Sequence, residues 1–277
     1  MLAHLNDVLL PAQKGHYAVG LFNTTDTDML QAAIQAAEQL RSPIIIGTAE
    51  VLLPYGDLPL IAPSVIAAAQ RASVPVVVHY DHGLTFERCV QALRLGFTSV
   101  MFDGSAASPQ ENVEQTREIV RIAHALGATV EGEIGHVGEA AGGDAAQDAY
   151  TTPQQAVDFI RATGVDALAV AIGTAHGVYK HKPKLDIGRL QAIRAAVNTP
   201  LVLHGGSGLS DDDFRRTIQE GIAKVNIFTD LCLAGAEAMR QGIQAGLSYL
   251  EIRNKKVEAI CRAVSEKIAL FGSAGKA

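Results

Sequence analysis

Short apolar runs alternate with amphipathic stretches along the whole chain. Short runs of strand character occupy residues 17–23, 43–48, 74–80, 99–102, 129–134, 167–172, 200–203 and 224–228, the fifth carrying Glu131 and Glu133. Among these runs, the β-branched one at 74–80 indicates a strand buried on both faces. Stretches with helical character and matching boundary residues lie between them, at 27–41, 62–72, 85–95, 109–126, 153–163, 187–197 and 211–220. Asp26 and Ser210 stand where N-caps belong, Pro109 in a first helical turn and Gly127 at a helix end. A helical tail continues to about residue 271. Strands that alternate with helices predict a parallel α/β architecture. Eight such units in 277 residues predict a (β/α)8 TIM barrel, one domain over residues 1–277 with a C-terminal helical extension. A doubly wound open sheet is the alternative, and the count of eight favours closure.

The C-terminal ends of parallel barrel strands meet at one rim, where chemistry is done. Three of those ends carry histidine: His82 after the third run, His176 after the sixth and His204 after the seventh. Three neutral imidazoles converging on a rim leave a fourth position open, as in a catalytic zinc site. His79 lies further back on its strand and is expected in a barrel layer. His4, His16, His124 and His181 fall in helices or loops, and His136 opens the long irregular stretch 135–152. Asp81 directly precedes His82. It is placed either to relay a proton or to orient a ligand. Gly205-Gly206-Ser207-Gly208 separates a strand from a helix start, and Asn226 and Thr229 mark the next strand end. Backbone N–H groups in such a turn can cradle a phosphate. Lys180 offers a cation nearby.

Composition narrows the partners. A formal net charge of −6 and 19% charged residues give no basic excess for nucleic acid or an anionic membrane. Cys89, Cys232 and Cys261 are widely spaced, with no CxxC pair, which fits a reducing compartment. The first residues lack the basic and apolar regions of a signal peptide. No apolar run reaches the roughly 18–20 residues of a membrane helix. A soluble, cytoplasmic protein is expected.

Six linked motifs occur in order: His79-Tyr80-Asp81-His82-Gly83, Asp103-Gly104-Ser105, Val130-Glu131-Gly132-Glu133-Ile134-Gly135, the stretch 171–180 around His176-Gly177, Leu203-His204-Gly205-Gly206-Ser207-Gly208, and Lys224-Val225-Asn226-Ile227. Together they resemble the class II, metal-dependent fructose/tagatose-bisphosphate aldolase family over nearly the whole chain. The resemblance implies Zn2+ on His82, His176 and His204, and a second cation (divalent, or Na+/K+) near Asp103 and Glu133. It implies that Asp81 gives a proton to the aldehyde oxygen in condensation and takes it back in cleavage. Gly177, Gly205, Ser207, Asn226 and Thr229 match positions that hold dihydroxyacetone phosphate, and Lys180 falls in the same motif. Zinc would stabilise the ene-diolate left by C–C cleavage. A homo-oligomer, dimer or tetramer, is implied as well.

The chain departs from the family pattern in three places. After the fifth run it reads Gly135-His136-Val137-Gly138-Glu139-Ala140-Ala141-Gly142, with alanines where the family has acids. Glu139, Asp144 or Asp148 are the candidates for the base that moves the triose proton. The turn at Ile46-Gly47-Thr48-Ala49-Glu50 lacks the usual polar serine, and no Asp-Pro-Arg segment precedes Tyr249-Leu250. The aldehyde half of the substrate therefore stays open. The default is fructose- or tagatose-1,6-bisphosphate, with another phosphorylated ketose or keto-acid beside it. A paralogue that binds metal and triose phosphate with little turnover is the non-enzymatic alternative. A metal-dependent hydrolase is a third, against which the glycine turn argues.

Overall fold

The computed structural model describes residues 1–135, 138–139, 150–177 and 183–277, with residues 138, 139 and 176 described through their backbone alone. Eight parallel strands form the barrel: β1 (Val19–Asn23), β2 (Ile44–Ala49), β3 (Val76–Gly83), β4 (Ser99–Phe102), β5 (Thr129–Ile134), β6 (Ala167–Val170), β7 (Leu201–Leu203) and β8 (Ile222–Ile227). Each pairs with its neighbour in sequence, and β8 closes onto β1 with Lys224 opposite Val19. The closed barrel is the predicted one, and the open-sheet alternative falls.

Helices α1 (Leu5–Lys14), α2 (Thr27–Gln39), α3 (Leu58–Arg71), α4 (Phe86–Leu95), α5 (Pro109–Ala125), α6 (Pro153–Thr163), α7 (Ile187–Ala196), α8 (Asp211–Gln219), α9 (Thr229–Gln244) and α10 (Tyr249–Phe271) accompany the strands. Asp26 accepts from the Met29 N–H and Ser210 from the Asp213 N–H, so both predicted caps hold. Three features differ from the expected pattern. Helix α1 precedes the first barrel strand. The helix before β3 starts at Leu58, a turn earlier than residue 62, because Pro63 is accommodated inside it. The tail is two helices, broken at residues 245–248, where Gly246 takes φ 68°.

The interior is layered. Leu21, Ile45, Val77, Ala169 and Val202 form an apolar floor, sealed from below by Leu5, Val8, Leu9 and Ala12 of α1. That spacing puts all four on one helical face. Above the floor, alternation lifts His79, Glu131 and Lys224 into a fully buried polar layer that holds the Glu131 and Lys224 charges. Above that sit Asn23, Asp81, Glu133, His204 and Asn226, also buried. The larger apolar cluster packs outside the strands, against the helices. No helix among the described residues is long and apolar enough to cross a membrane.

Candidate active site

Strand β3 runs past the end of its apolar run. Its pairing with β4 slips by one residue between Tyr80, opposite Val100, and Gly83, opposite Phe102. The extra residue makes a bulge, which re-aims side chains. His82 sits in it at φ 44°, a left-handed conformation that costs a residue with a Cβ about 1–3 kcal/mol. The bulge breaks strict alternation, and Asp81 and His82 both line a cavity of about 390 Å³ at the C-terminal rim.

Two imidazoles are aimed at one point. His82 Nδ1 lies 2.8 Å from Asp103 Oδ2, and His204 Nε2 lies 2.8 Å from Glu131 Oε1. Ionised carboxylates only accept, so each of these ring nitrogens donates its N–H. The remaining nitrogens, His82 Nε2 and His204 Nδ1, face one another at 2.7 Å. Two lone pairs directed at the same spot call for a cation: at this spacing a shared proton, or a metal that would take both lone pairs with the rings further apart. Carboxylate-backed histidines of this kind are the usual arrangement of metal ligands. Glu133 Oε2 lies 4.0 Å from Nδ1 of both rings. Donor atoms of Asp81, His82 and His204 lie within 4.8 Å of one another, as do those of His82, Asp103 and Glu133. The donor set fits zinc at the first group and a hard cation at the second. His176 brings its backbone here, pairing with residue 139 across a two-residue ladder. Its side chain lies outside the described residues.

Without a metal, a proton holds this point. Burial opposes charge on His82, but Asp81, Asp103 and Glu133 around it hold its imidazolium up to about 9. Burial, then the neighbouring His82, pushes His204 down. A metal must displace the His82 proton, so affinity rises with pH until the proton is already gone. We expect apparent zinc affinity to increase about tenfold per pH unit from 7 to 9, with one proton released per ion. Chelator competition at several pH values measures it, and a flat profile would contradict this proton inventory.

Asp81 is clamped. Asn23 Nδ2 donates to its Oδ2 at 2.8 Å and Asn226 Nδ2 to its Oδ1 at 3.0 Å. Burial would raise its pKa, but the charges of His82 and Lys224 hold it well below the usual carboxylate range. Gly47 makes room for the clamp, since a Cβ there would come within 2.5 Å of Asn23 Oδ1. The residues expected to bind phosphate line the same cavity: Gly177, Gly205, Gly206, Ser207, Asn226 and Thr229. Gly205, at φ 66°, lets the Ala175 backbone pass so close that a Cβ would meet its carbonyl oxygen. Thr229 opens α9, and Ser207 Oγ accepts from the Phe228 N–H at 3.3 Å. Asn226 thus serves Asp81 as well as lining the cavity.

Several expected residues fall elsewhere. Lys180, His136, His181, Asp144 and Asp148 lie outside the described residues, as does the side chain of Glu139. His124 pairs with Asp166 at 2.9 Å on the surface, away from the site. His79 is in the barrel layer as expected, 2.8 Å from Ser99 Oγ. Burial and the Lys224 charge push it down to about 3, so it is neutral. Glu50 turns away from the cavity, accepting from the Leu84 N–H at 2.8 Å and the Tyr80 hydroxyl at 3.1 Å. That leaves Ala49, Val51, Leu52 and Leu84 as an apolar part of the cavity lining. Sequence reasoning leaves out Asn23, Glu131 and Lys224. A signal exists for the last two: a charge within an apolar strand must find a partner.

Imidazoles converging above the rim of a closed barrel, beside a clamped aspartate, mark a candidate active site with a donor set that could hold a metal. The class II fructose-bisphosphate aldolase family matches residues 3–276, so this chain belongs to that family and is an aldolase, a lyase. YdjI of Escherichia coli K12 is 41% identical over 279 residues that span both chains fully. The crystal structure of the YdjI aldolase superimposes with a TM-score of 0.91, covering all of both chains at 38% identity. The 6-phospho-5-dehydro-2-deoxy-D-gluconate aldolase of Shouchella clausii is 40% identical over 98% of this chain and 94% of its own. The fructose-bisphosphate aldolase of Thermus caldophilus is 39% identical over 98% of each.

Proposed function

We propose that the protein reversibly cleaves a phosphorylated ketose to dihydroxyacetone phosphate and an aldehyde, with a divalent ion, zinc by preference, on His82, His176 and His204. One observation carries this reading: His82 Nε2 and His204 Nδ1 converge, and His82 and Asp81 line the same cavity as Gly205, Gly206 and Ser207 of the glycine turn. The ion would supply Lewis-acid stabilisation of the negative charge left on the triose when the C–C bond breaks. The protein supplies the rest. Backbone N–H groups of the glycine turn and the start of α9 anchor the phosphate. That anchor sets the distance of the reacting carbons from the histidines. Asp81, ionised and held by two amides, accepts the hydroxyl proton in cleavage and returns it in condensation.

Fructose- and tagatose-1,6-bisphosphate are the default substrates. The apolar lining at Ala49, Val51, Leu52 and Leu84 favours a second reading, in which the aldehyde half carries no second phosphate. A retro-aldol panel separates the two. It would hold both bisphosphates, ketose 1-phosphates and 6-phospho-5-dehydro-2-deoxygluconate, scored by release of dihydroxyacetone phosphate. Release from none of them would sink the proposal.

A further inference from the structure

The polar layer below the site is not needed to fill the barrel. The layer beneath it is aliphatic and just as buried. Yet Lys224 of β8 and Glu131 of β5 meet there at 2.7 Å, both wholly removed from solvent. A buried ion pair adds little stability by itself, because apolar residues of similar volume usually do as well or better. The geometry suggests what the pair is for. One carboxylate oxygen of Glu131 contacts Lys224 Nζ, and the other takes the Nε2–H of His204 at 2.8 Å. The second contact leaves the His204 Nδ1 lone pair facing His82 Nε2. A carboxylate with a single partner could rotate or take a proton. Lysine on its other oxygen keeps it ionised and in one orientation.

We infer that Lys224 and Glu131 form a positioning device for His204: the pair selects the Nε2–H tautomer and holds the ring so that Nδ1 faces the metal position. The inference rests on reading His204 as a metal ligand. Neither residue lines the cavity, so their role is orientation, transmitted from one side of the barrel to the other. His79 Nε2, 3.9 Å from Glu131 Oε2, completes the surroundings of the carboxylate.

Two double variants, both free of the buried charges, test this. Glu131→Leu/Lys224→Met removes the acceptor for His204. Glu131→Gln/Lys224→Met keeps an amide oxygen in its place. Zinc affinity is read by chelator competition and thermal stability on the metal-free proteins. Loss of one carboxylate partner of a histidine ligand weakens metal binding by about 10–100-fold. That loss is expected for the Leu/Met pair while it remains folded, with recovery to within a few-fold of wild type in the Gln/Met pair. If the Leu/Met protein folds and binds zinc as tightly as wild type, the pair is only structural and the inference fails. The same follows if the Gln/Met pair shows no recovery. Should the Leu/Met protein not fold, ring 15N shifts of His204 in metal-free wild type decide instead: the Nε2–H tautomer supports the inference and the Nδ1–H tautomer overturns it. A His204→Ala protein that still bound zinc would strike the functional reading itself, a different failure from any of these.

Discussion

Replacing Asp81 with asparagine is expected to lower the rate of C–C cleavage by about 10²–10⁴-fold, the usual worth of a positioned acid–base group. Zinc content should stay near that of wild type and KM should move little. The asparagine side chain fits the same space, so the change strips the site of its ionised oxygen and leaves the shape. Asn23 and Asn226 donate to Asp81 from opposite sides, and Asp81 is about 1% exposed. Water has little access to take over. An asparagine would also turn one amide donor against another, so a stability loss of about 1–3 kcal/mol is expected. Steady-state kinetics beside a melting curve separates the two effects. Near-normal turnover in a folded Asp81→Asn protein would remove the aspartate from the proton path.

The second large effect is at His204. His204→Ala should lose zinc through gel filtration, and cleavage should fall to background. The substitution deletes the ring whose Nδ1 faces His82. The fold should survive it. Glu131 keeps Lys224 at 2.7 Å, so no buried charge is stranded, and the aliphatic floor is untouched. Metal content by atomic absorption, with a melting curve as control, checks it. Zinc retained at one ion per chain would show that His204 is not a ligand.

Most of the barrel is legible in the sequence because most strands are apolar runs and several helices carry their own boundary residues. Asp26, Ser210 and Pro109 act locally, and local signals survive without knowledge of the fold. Helix α1 is harder. Its apolar face has the right spacing, but Pro11 sits inside it and normally breaks a helix. The rim histidines are legible because each follows an apolar run. The bulge at Asp81 and His82 is not, since it depends on how β3 pairs with β4. The Glu131–Lys224 pair is hidden for a deeper reason. Each charge looks costly in its own strand, and only closure of the barrel brings β5 and β8 across from each other. Asn23 escapes notice because its partner, Asp81, lies 58 residues away in the chain. The contact of Asp103 with His82 Nδ1, which makes it a direct support for the proposed ligand histidine, is equally invisible before folding.

Dependence of C–C cleavage on a metal at the rim histidines is tested most directly by stripping the protein of metal with a chelator. Release of dihydroxyacetone phosphate from the best substrate of the panel is then assayed before and after zinc is restored. Background activity is expected in the metal-free protein, with full recovery at about one zinc per chain, the stoichiometry of a single catalytic site. Full activity in verified metal-free protein would contradict it.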